Sequence, residues 1–280
     1  MKIGVVGHTG MVGGSVNRWM KKQGHKLLVY SKDKGRFEGK VRLGSMAEVN
    51  KAEIIFVCVP TPFSWDKNTF DLSIVRSVVG QIELGKTVVL KSTMWPGSTE
   101  DFQKEFPKLF ILFNPEFLSE STADADFSHP DRQFVGYTKK SYTKATEVLN
   151  VLPESPADRV MPATEAEILK YINNMHGVLE VLESNHYYEV CEKLDVDYDR
   201  VIKNAVTSKW MGPIMGRHYR VIWHKNYRGV GGVCFPKDLA AWIQFGRKIG
   251  VDTQLFKAAR KMNQRILAEQ NLTEQQAEKK

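Results

Sequence analysis

Cysteine is scarce in this chain: three in 280 residues, Cys58, Cys191 and Cys234. An odd number with no C-x-x-C pair argues against both a disulfide framework and a structural zinc site. Long apolar runs are missing as well, and none approaches the roughly 20 residues that span a bilayer. The chain enters an apolar strand pattern directly, without a basic segment, an apolar stretch and a small-residue cleavage site in series. A cytoplasmic, unprocessed protein without a membrane partner is therefore expected. Internal repeats and low-complexity tracts are absent. Hydrophobic residues at 42% and charged residues at 26% exclude a disordered chain. The length suits two domains of roughly 100 to 200 residues each.

What is present begins with charge. A formal net charge of +8 favours anionic partners. The basic residues are scattered, however, and the densest cluster, residues 257–261, falls on an expected helix. That makes it a solvated face and argues against nucleic acid. Residues 2–6, 26–30, 54–59, 87–90, 110–113 and 133–136 read as short strands separated by helical segments such as 14–23. Strands apolar on both faces predict an α/β fold, an N-terminal Rossmann-type doubly wound parallel sheet followed by a helical domain. Expected boundaries are 1–160 for an NAD(P)-binding domain, 161–272 for a helical central domain and 273–280 for a frayed tail. Helices are expected over 164–194, 198–207 and 236–250, the last continuing to about 270, with Asp195 and Asp197 at a helix start. The first is long enough to connect the domains and offer an oligomer surface, so a homodimer is expected. In such a sheet ligands gather at the carboxyl ends of the strands, where Pro60-Thr61-Pro62, Ser92-Thr93 and Pro115-Glu116 lie.

Gly7-His8-Thr9-Gly10-Met11-Val12-Gly13 joins the first strand to the first helix. There, backbone amides and the helix dipole can hold a pyrophosphate. The spacing is one residue longer than G-x-G-x-x-G, and a lone glycine triplet also suits a tight turn. The second strand ends in Tyr30-Ser31-Lys32-Asp33, a hydroxyl and a cation where NAD binders usually place a carboxylate. NAD is the expected cofactor, with NADP open. Further on, Gly229-Val230-Gly231-Gly232-Val233-Cys234-Phe235-Pro236-Lys237-Asp238 sets a thiol at a helix start. A helix dipole there lowers a thiol pKa, so Cys234 is a candidate nucleophile, the alternative being a small buried hydrophobe. Cys58 and Cys191 carry only that alternative.

The segment ending at Asp238 resembles the G-x-G-G-x-C-F-P-K-D nucleophile motif of the UDP-glucose/GDP-mannose dehydrogenase family. Other signatures follow in the family's order over nearly the whole chain. They are Val59-Pro60-Thr61-Pro62, Lys91-Ser92-Thr93 with Pro96-Gly97-Ser98-Thr99, Asn114-Pro115-Glu116-Phe117-Leu118 with Glu120, Pro130-Asp131-Arg132, and Glu167-x-x-Lys170-x-x-x-Asn174. The resemblance implies a four-electron, NAD-dependent oxidation of the C6 alcohol of a nucleotide sugar, a UDP-hexose foremost, to a uronic acid. Cys234 would carry a thiohemiacetal and then a thioester. Lys170 would stabilise the oxyanion, with Asn174 one helical turn away. Thr93 and Asp238 would hold a proton-relaying water, and Glu116 and Glu120 would assist hydrolysis and substrate positioning. Cofactor contacts are expected from Gly7, Gly10, Met11, Val12, Gly13, Ser31, Pro60, Thr61, Thr93 and Lys237. Substrate contacts are expected from Glu116, Phe117, Leu118, Lys170, Asn174, Gly229, Gly231 and Gly232, and no metal is expected. Taken singly, Lys170 and Asn174 also suit a solvated helix face, and Thr93, Glu116 and Asp238 suit caps and first turns.

The resemblance breaks in two places. Family members continue into another Rossmann-like domain that binds the nucleotide, whereas this chain stops near Lys280. A truncated form is expected, completing its substrate site by dimerisation or with a partner. In Ser208-Lys209-Trp210-Met211-Gly212, Trp210 stands where an arginine would contact substrate. The insert that follows carries Arg217, His218, Arg220, Trp223, His224 and Arg228, either a rebuilt phosphate site or a basic surface loop. A beta-hydroxyacid dehydrogenase-like enzyme and a non-catalytic dinucleotide-binding sensor are the alternatives. The thiol counts against the first, and the retained Cys, Lys, Asn and Asp set against the second.

Overall fold

The computed structural model describes residues 1–33, 42–67, 69–210 and 219–279. The chain forms two compact units, Met1–Ser64 with Phe70–Lys170, and Trp65–Thr69 with Tyr171–Lys280.

The first unit is the expected α/β domain. In chain order it runs β1 (Lys2–Val6), α1 (Met11–Lys22), β2 (Lys26–Tyr30), α2 (Met46–Val49), β3 (Ile54–Val57), the short β4 (Phe63–Ser64) and β5 (Thr69–Phe70), α3 (Ser73–Val79) and β6 (Thr87–Leu90). It continues with α4 (Ser98–Glu105), β7 (Phe110–Phe113), α5 (Ala123–Ser128), β8 (Gln133–Tyr137), α6 (Tyr142–Leu149) and β9 (Asp158–Pro162). Seven strands form one sheet in the order β2-β1-β3-β6-β7-β8-β9. The first five are parallel, β8 pairs antiparallel with β7, and β9 runs parallel to β8. The side-chain period of two explains the buried strands. Ile55, Val57, Val88, Leu90, Ile111 and Phe113 fill one layer, while Ile54, Phe56, Val89 and Leu112 fill the other. The strand expected over 133–136 is present, but its antiparallel pairing means the sheet is not wholly parallel. The edge strand β9 and the β4–β5 hairpin were not legible: β9 carries Asp158 and Arg159 and buries no residue fully.

The long helix α7 (Ala163–Lys193) leaves the sheet and passes from the first unit to the second between Lys170 and Tyr171, a boundary inside a helix rather than at residue 160. The second unit continues with α8 (Tyr198–Ala205), α9 (Phe235–Lys248), α10 (Gln254–Ala268) and α11 (Glu274–Glu278). Asp197 caps α8, its carboxylate accepting from the Arg200 N–H at 3.2 Å, while Asp195 lies just before it at φ 53°. The continuous helix expected over 236–270 is broken. Gly250 turns the chain at φ 78°, and a Cβ on Gly246 would lie 2.4 Å from the Thr253 methyl that packs there. The expected frayed tail is also corrected: Thr273 and Gln276 form a reciprocal capping box, and Ala277 is fully buried. That apolar anchor and the satisfied first turn hold five residues in a helix too short to persist alone. Met211, Gly212, Arg217 and His218 lie outside the described residues. Among the described residues, no helix is long and apolar enough to cross a membrane.

Candidate active site

In the first unit the glycine loop is shaped by backbone crowding. A Cβ on Gly7, at φ 86°, would lie 2.3 Å from the Cys58 carbonyl oxygen, and one on Gly13 would lie 2.2 Å from the Gly7 carbonyl oxygen. Both positions therefore exclude side chains. Gly10 caps α1 without a side-chain hydrogen bond, and the helix has no acid in its first turn. Its first amides, at Met11, Val12 and Gly13, thus suit the pyrophosphate of a dinucleotide, which is the fit the loop chemistry requires. Ser31 is buried where a ribose-binding acid was looked for. Its hydroxyl lies 2.9 Å from His8 Nδ1 and accepts from the Thr9 N–H at 3.3 Å, so the extra loop residue brings an imidazole to this place.

Along the carboxyl edge of the sheet, neighbouring strand ends are tied together. The Ser92 hydroxyl donates to the Val59 carbonyl at 2.6 Å, and the Thr61 hydroxyl donates to the Thr93 carbonyl at 2.7 Å. Thr61 is buried, Thr93 half-buried and Pro60 exposed. One strand over, Lys170 Nζ donates to the Glu116 carbonyl at 2.7 Å and to its carboxylate at 2.8 Å. Both side chains are under a tenth exposed. Burial alone would push the Glu116 carboxyl up, but the Lys170 ammonium and the Leu118 N–H hold it below the usual carboxylate range. Phe117 stacks under the Arg132 guanidinium at 4.3 Å and lies 5.8 Å from Lys170 Nζ. Glu116, Phe117 and Leu118 also line a cavity of about 280 Å³, together with Lys91, Phe127 and Arg132. Glu120 is exposed in the turn before α5.

Three buried groups at this edge were missed as contributors. Lys91 Nζ donates to Asn114 Oδ1 at 2.5 Å, and the Asn114 amide donates to Gln133 Oε1 at 2.8 Å. Burial pushes the Lys91 ammonium down to about 8 and the neighbouring Cys58 thiol up to about 12. A lysine closing an apolar strand was the available signal. Glu167 is buried as well. It accepts from the N–H groups of Gly97 and Thr99 at 2.6 and 2.9 Å and from the Thr99 hydroxyl at 2.7 Å, pinning the first turns of α7 to the start of α4. Burial nevertheless pushes its carboxyl up to about 7.

In the second unit Cys234 is the N-cap residue of α9, half-exposed, with Pro236 in the first turn. Asp238 is fully buried. It accepts from Asn174 Nδ2 at 2.6 Å and from Lys237 Nζ at 3.0 Å, and its own N–H donates to the Cys234 carbonyl at 3.0 Å. The structure thus brings Asn174, Lys237 and Asp238 together beside the turn that carries Cys234. It brings Lys170 together with Glu116 and Phe117 in the other unit. Gly229 and Gly232 have φ of 94° and 73°, and Gly231 lies against the Tyr227 ring. Trp210 is 74% exposed.

A doubly wound sheet with a glycine phosphate loop, followed by a helical unit with a cysteine at a helix N-cap position, is the architecture of a dinucleotide-binding protein. Residues 38–151 match the NAD-binding domain, and residues 164–265 the central domain, of the UDP-glucose/GDP-mannose dehydrogenase family, and the chain belongs to that family. Its relatives include a UDP-glucose 6-dehydrogenase of Pseudomonas aeruginosa, 32% identical over 79% of this chain and 51% of its own length. The UDP-glucose 6-dehydrogenase AglM of Haloferax volcanii is 30% identical over 77% of this chain and 53% of its own. The chain spans about half the length of these two relatives. A UDP-glucose dehydrogenase structure from Pyrobaculum islandicum superimposes with a TM-score of 0.78 at 26% identity, covering 96% of this chain and 71% of the other.

Proposed function

We propose that this chain oxidises the C6 alcohol of a nucleotide sugar, a UDP-hexose foremost, to the uronic acid through a thioester on Cys234. The observation that carries the reading is Cys234 at the first turn of α9, with Asp238 one turn on and bonded to Asn174. NAD, held by the glycine loop, supplies the hydride acceptor for both oxidations. The C6 alcohol gives up a hydride to that acceptor and its hydroxyl proton to the relay water, leaving the aldehyde. The Cys234 thiolate adds to the aldehyde carbon, forming a C–S bond and passing the carbonyl electrons to oxygen, where the Lys170 ammonium stabilises them. A second hydride leaves that carbon to give the thioester. Water then adds, the C–S bond breaks, Cys234 leaves as thiolate, and the acid releases its proton. Glu116, held ionised by Lys170, is a base for that water together with Glu120, and Thr93 and Asp238 orient the proton relay. The thioester lets one site run both oxidations without releasing the aldehyde. We place the working protein in the cytoplasm as a homodimer. In support, α7 exposes Tyr187 and Val190, with Leu194 just beyond its end.

The test is reduced-cofactor absorbance with NAD or NADP and a panel of UDP-, GDP- and dTDP-hexoses. Two reduced cofactors per sugar are expected. Cys234→Ser lowers acid formation by at least about 10,000-fold while NAD binding persists. Unchanged acid production in that variant sinks the mechanism.

A further inference from the structure

The segment that delivers Cys234 is gripped at every second residue by groups from α10, the turn after it and α11. Gln270 takes both backbone groups of Arg228: its Oε1 accepts from the Arg228 N–H at 2.8 Å and its Nε2 donates to the Arg228 carbonyl at 3.2 Å. Asn263, wholly buried, does the same for Val230, accepting from its N–H at 2.7 Å and donating to its carbonyl at 3.1 Å. The Gly232 N–H then donates to the Ala277 carbonyl of α11 at 2.9 Å. Behind these rungs, Tyr227 and Ala277 pack with Leu267 and Leu272. Glu274 clamps α11 to α10 through Arg260 and Gln264, with contacts of 2.9 to 3.1 Å.

Side-chain amides here stand in for the neighbouring strand that a glycine-rich, left-handed segment cannot pair with. Glycine at 229, 231 and 232 would leave residues 228–232 free to sample many conformations; the amides remove that freedom six and four residues before the thiol, and the Ala277 carbonyl removes it two residues before. We propose that Asn263 and Gln270 are positioning residues which, with the Ala277 carbonyl, hold residues 228–232 and so aim Cys234 at the carbon it attacks. The proposal rests on Cys234 being the nucleophile.

The test uses Asn263→Leu and Gln270→Met in the full chain. Gln270 is half-buried at the edge of the unit, so its variant keeps the fold even where the buried Asn263→Leu unfolds. The readouts are kcat, KM for the nucleotide sugar, and the rate at which iodoacetamide labels Cys234, located by peptide mass. A misplaced reactive group costs up to about 100-fold in rate. We expect Gln270→Met to lower kcat by about tenfold or more with KM and NAD affinity unchanged, and to alter the Cys234 labelling rate. A variant that folds and keeps both kcat and the labelling rate overturns the positioning role and leaves the thiol mechanism standing. Acid formation by Cys234→Ser removes both together.

Discussion

The two units fix their reactive groups by different physics. In the first, full charges and crowded backbone do it: Lys170 is locked on Glu116, Lys91 on Asn114, and Gly7 and Gly13 leave no space for a Cβ. In the second, neutral amides carry most of it: Asn263, Gln270 and Asn174 hold Val230, Arg228 and Asp238, with one ion pair, Lys237 on Asp238, beside them. Charge in a low dielectric is strong, but losing one partner leaves the other stranded and ties stability to pH. Amides hold almost as well across the whole pH range, and their failure is a local loss of order rather than a stranded ion.

The largest expected effect breaks the charged half. Lys170→Met leaves the Glu116 carboxylate buried without its ammonium, and urea unfolding should show a loss of about 3–5 kcal/mol. A loss within 1 kcal/mol of zero would mean the pair is already solvated. Next come the glycines. Gly13→Ala drives a methyl onto the Gly7 carbonyl oxygen and should cost about 1–3 kcal/mol and abolish NAD binding by calorimetric titration. Gly232→Ala meets nothing within 4 Å and should show only the left-handed backbone cost of about 1 kcal/mol. Equal costs at the two positions would erase the distinction.

The smallest effect is a slope. Glu167 has its carboxyl raised from 4.5 to about 7, so the folded state binds its proton more tightly than the unfolded chain does. Its contribution is fully present below pH 4.5 and is lost as pH rises toward about 7. Glu116, lowered, has the opposite sign: its contribution is present above its ordinary pKa and is lost as pH falls through the folded value. Denaturation midpoints from pH 4.5 to 7 should fall less steeply in Glu167→Gln than in the native chain. Parallel curves would show that the amide donors of Gly97 and Thr99 outweigh burial.

Legibility in the sequence follows the same division. The parallel strands were readable because each is apolar on both faces, and the thiol because glycines precede it and a proline follows. The edge strand β9 was not, since three of its five residues face solvent and it opens on the charged pair Asp158-Arg159. The break between α9 and α10 rests on one left-handed glycine at 250 against otherwise helical periodicity. Lys91 reads as the end of a strand, and only the fold shows it buried among Cys58, Asn114 and Glu116. Asn263 and Gln270 act across more than thirty residues of sequence, at separations of 33 and 42, where no local pattern announces them.

The raised thiol pKa of the part-exposed Cys58 has a practical side. Cys191 is buried and Cys58 and Cys234 are both part-exposed, but with the Cys58 thiol pushed up to about 12 the expected order of alkylation puts Cys234, at its helix start, first. A thiol count then doubles as a folding gauge: staged labelling is expected from the folded chain, and three equivalents together once it is opened. A fluorophore offered in slight excess would mark the turn at Cys234 without any cysteine being removed.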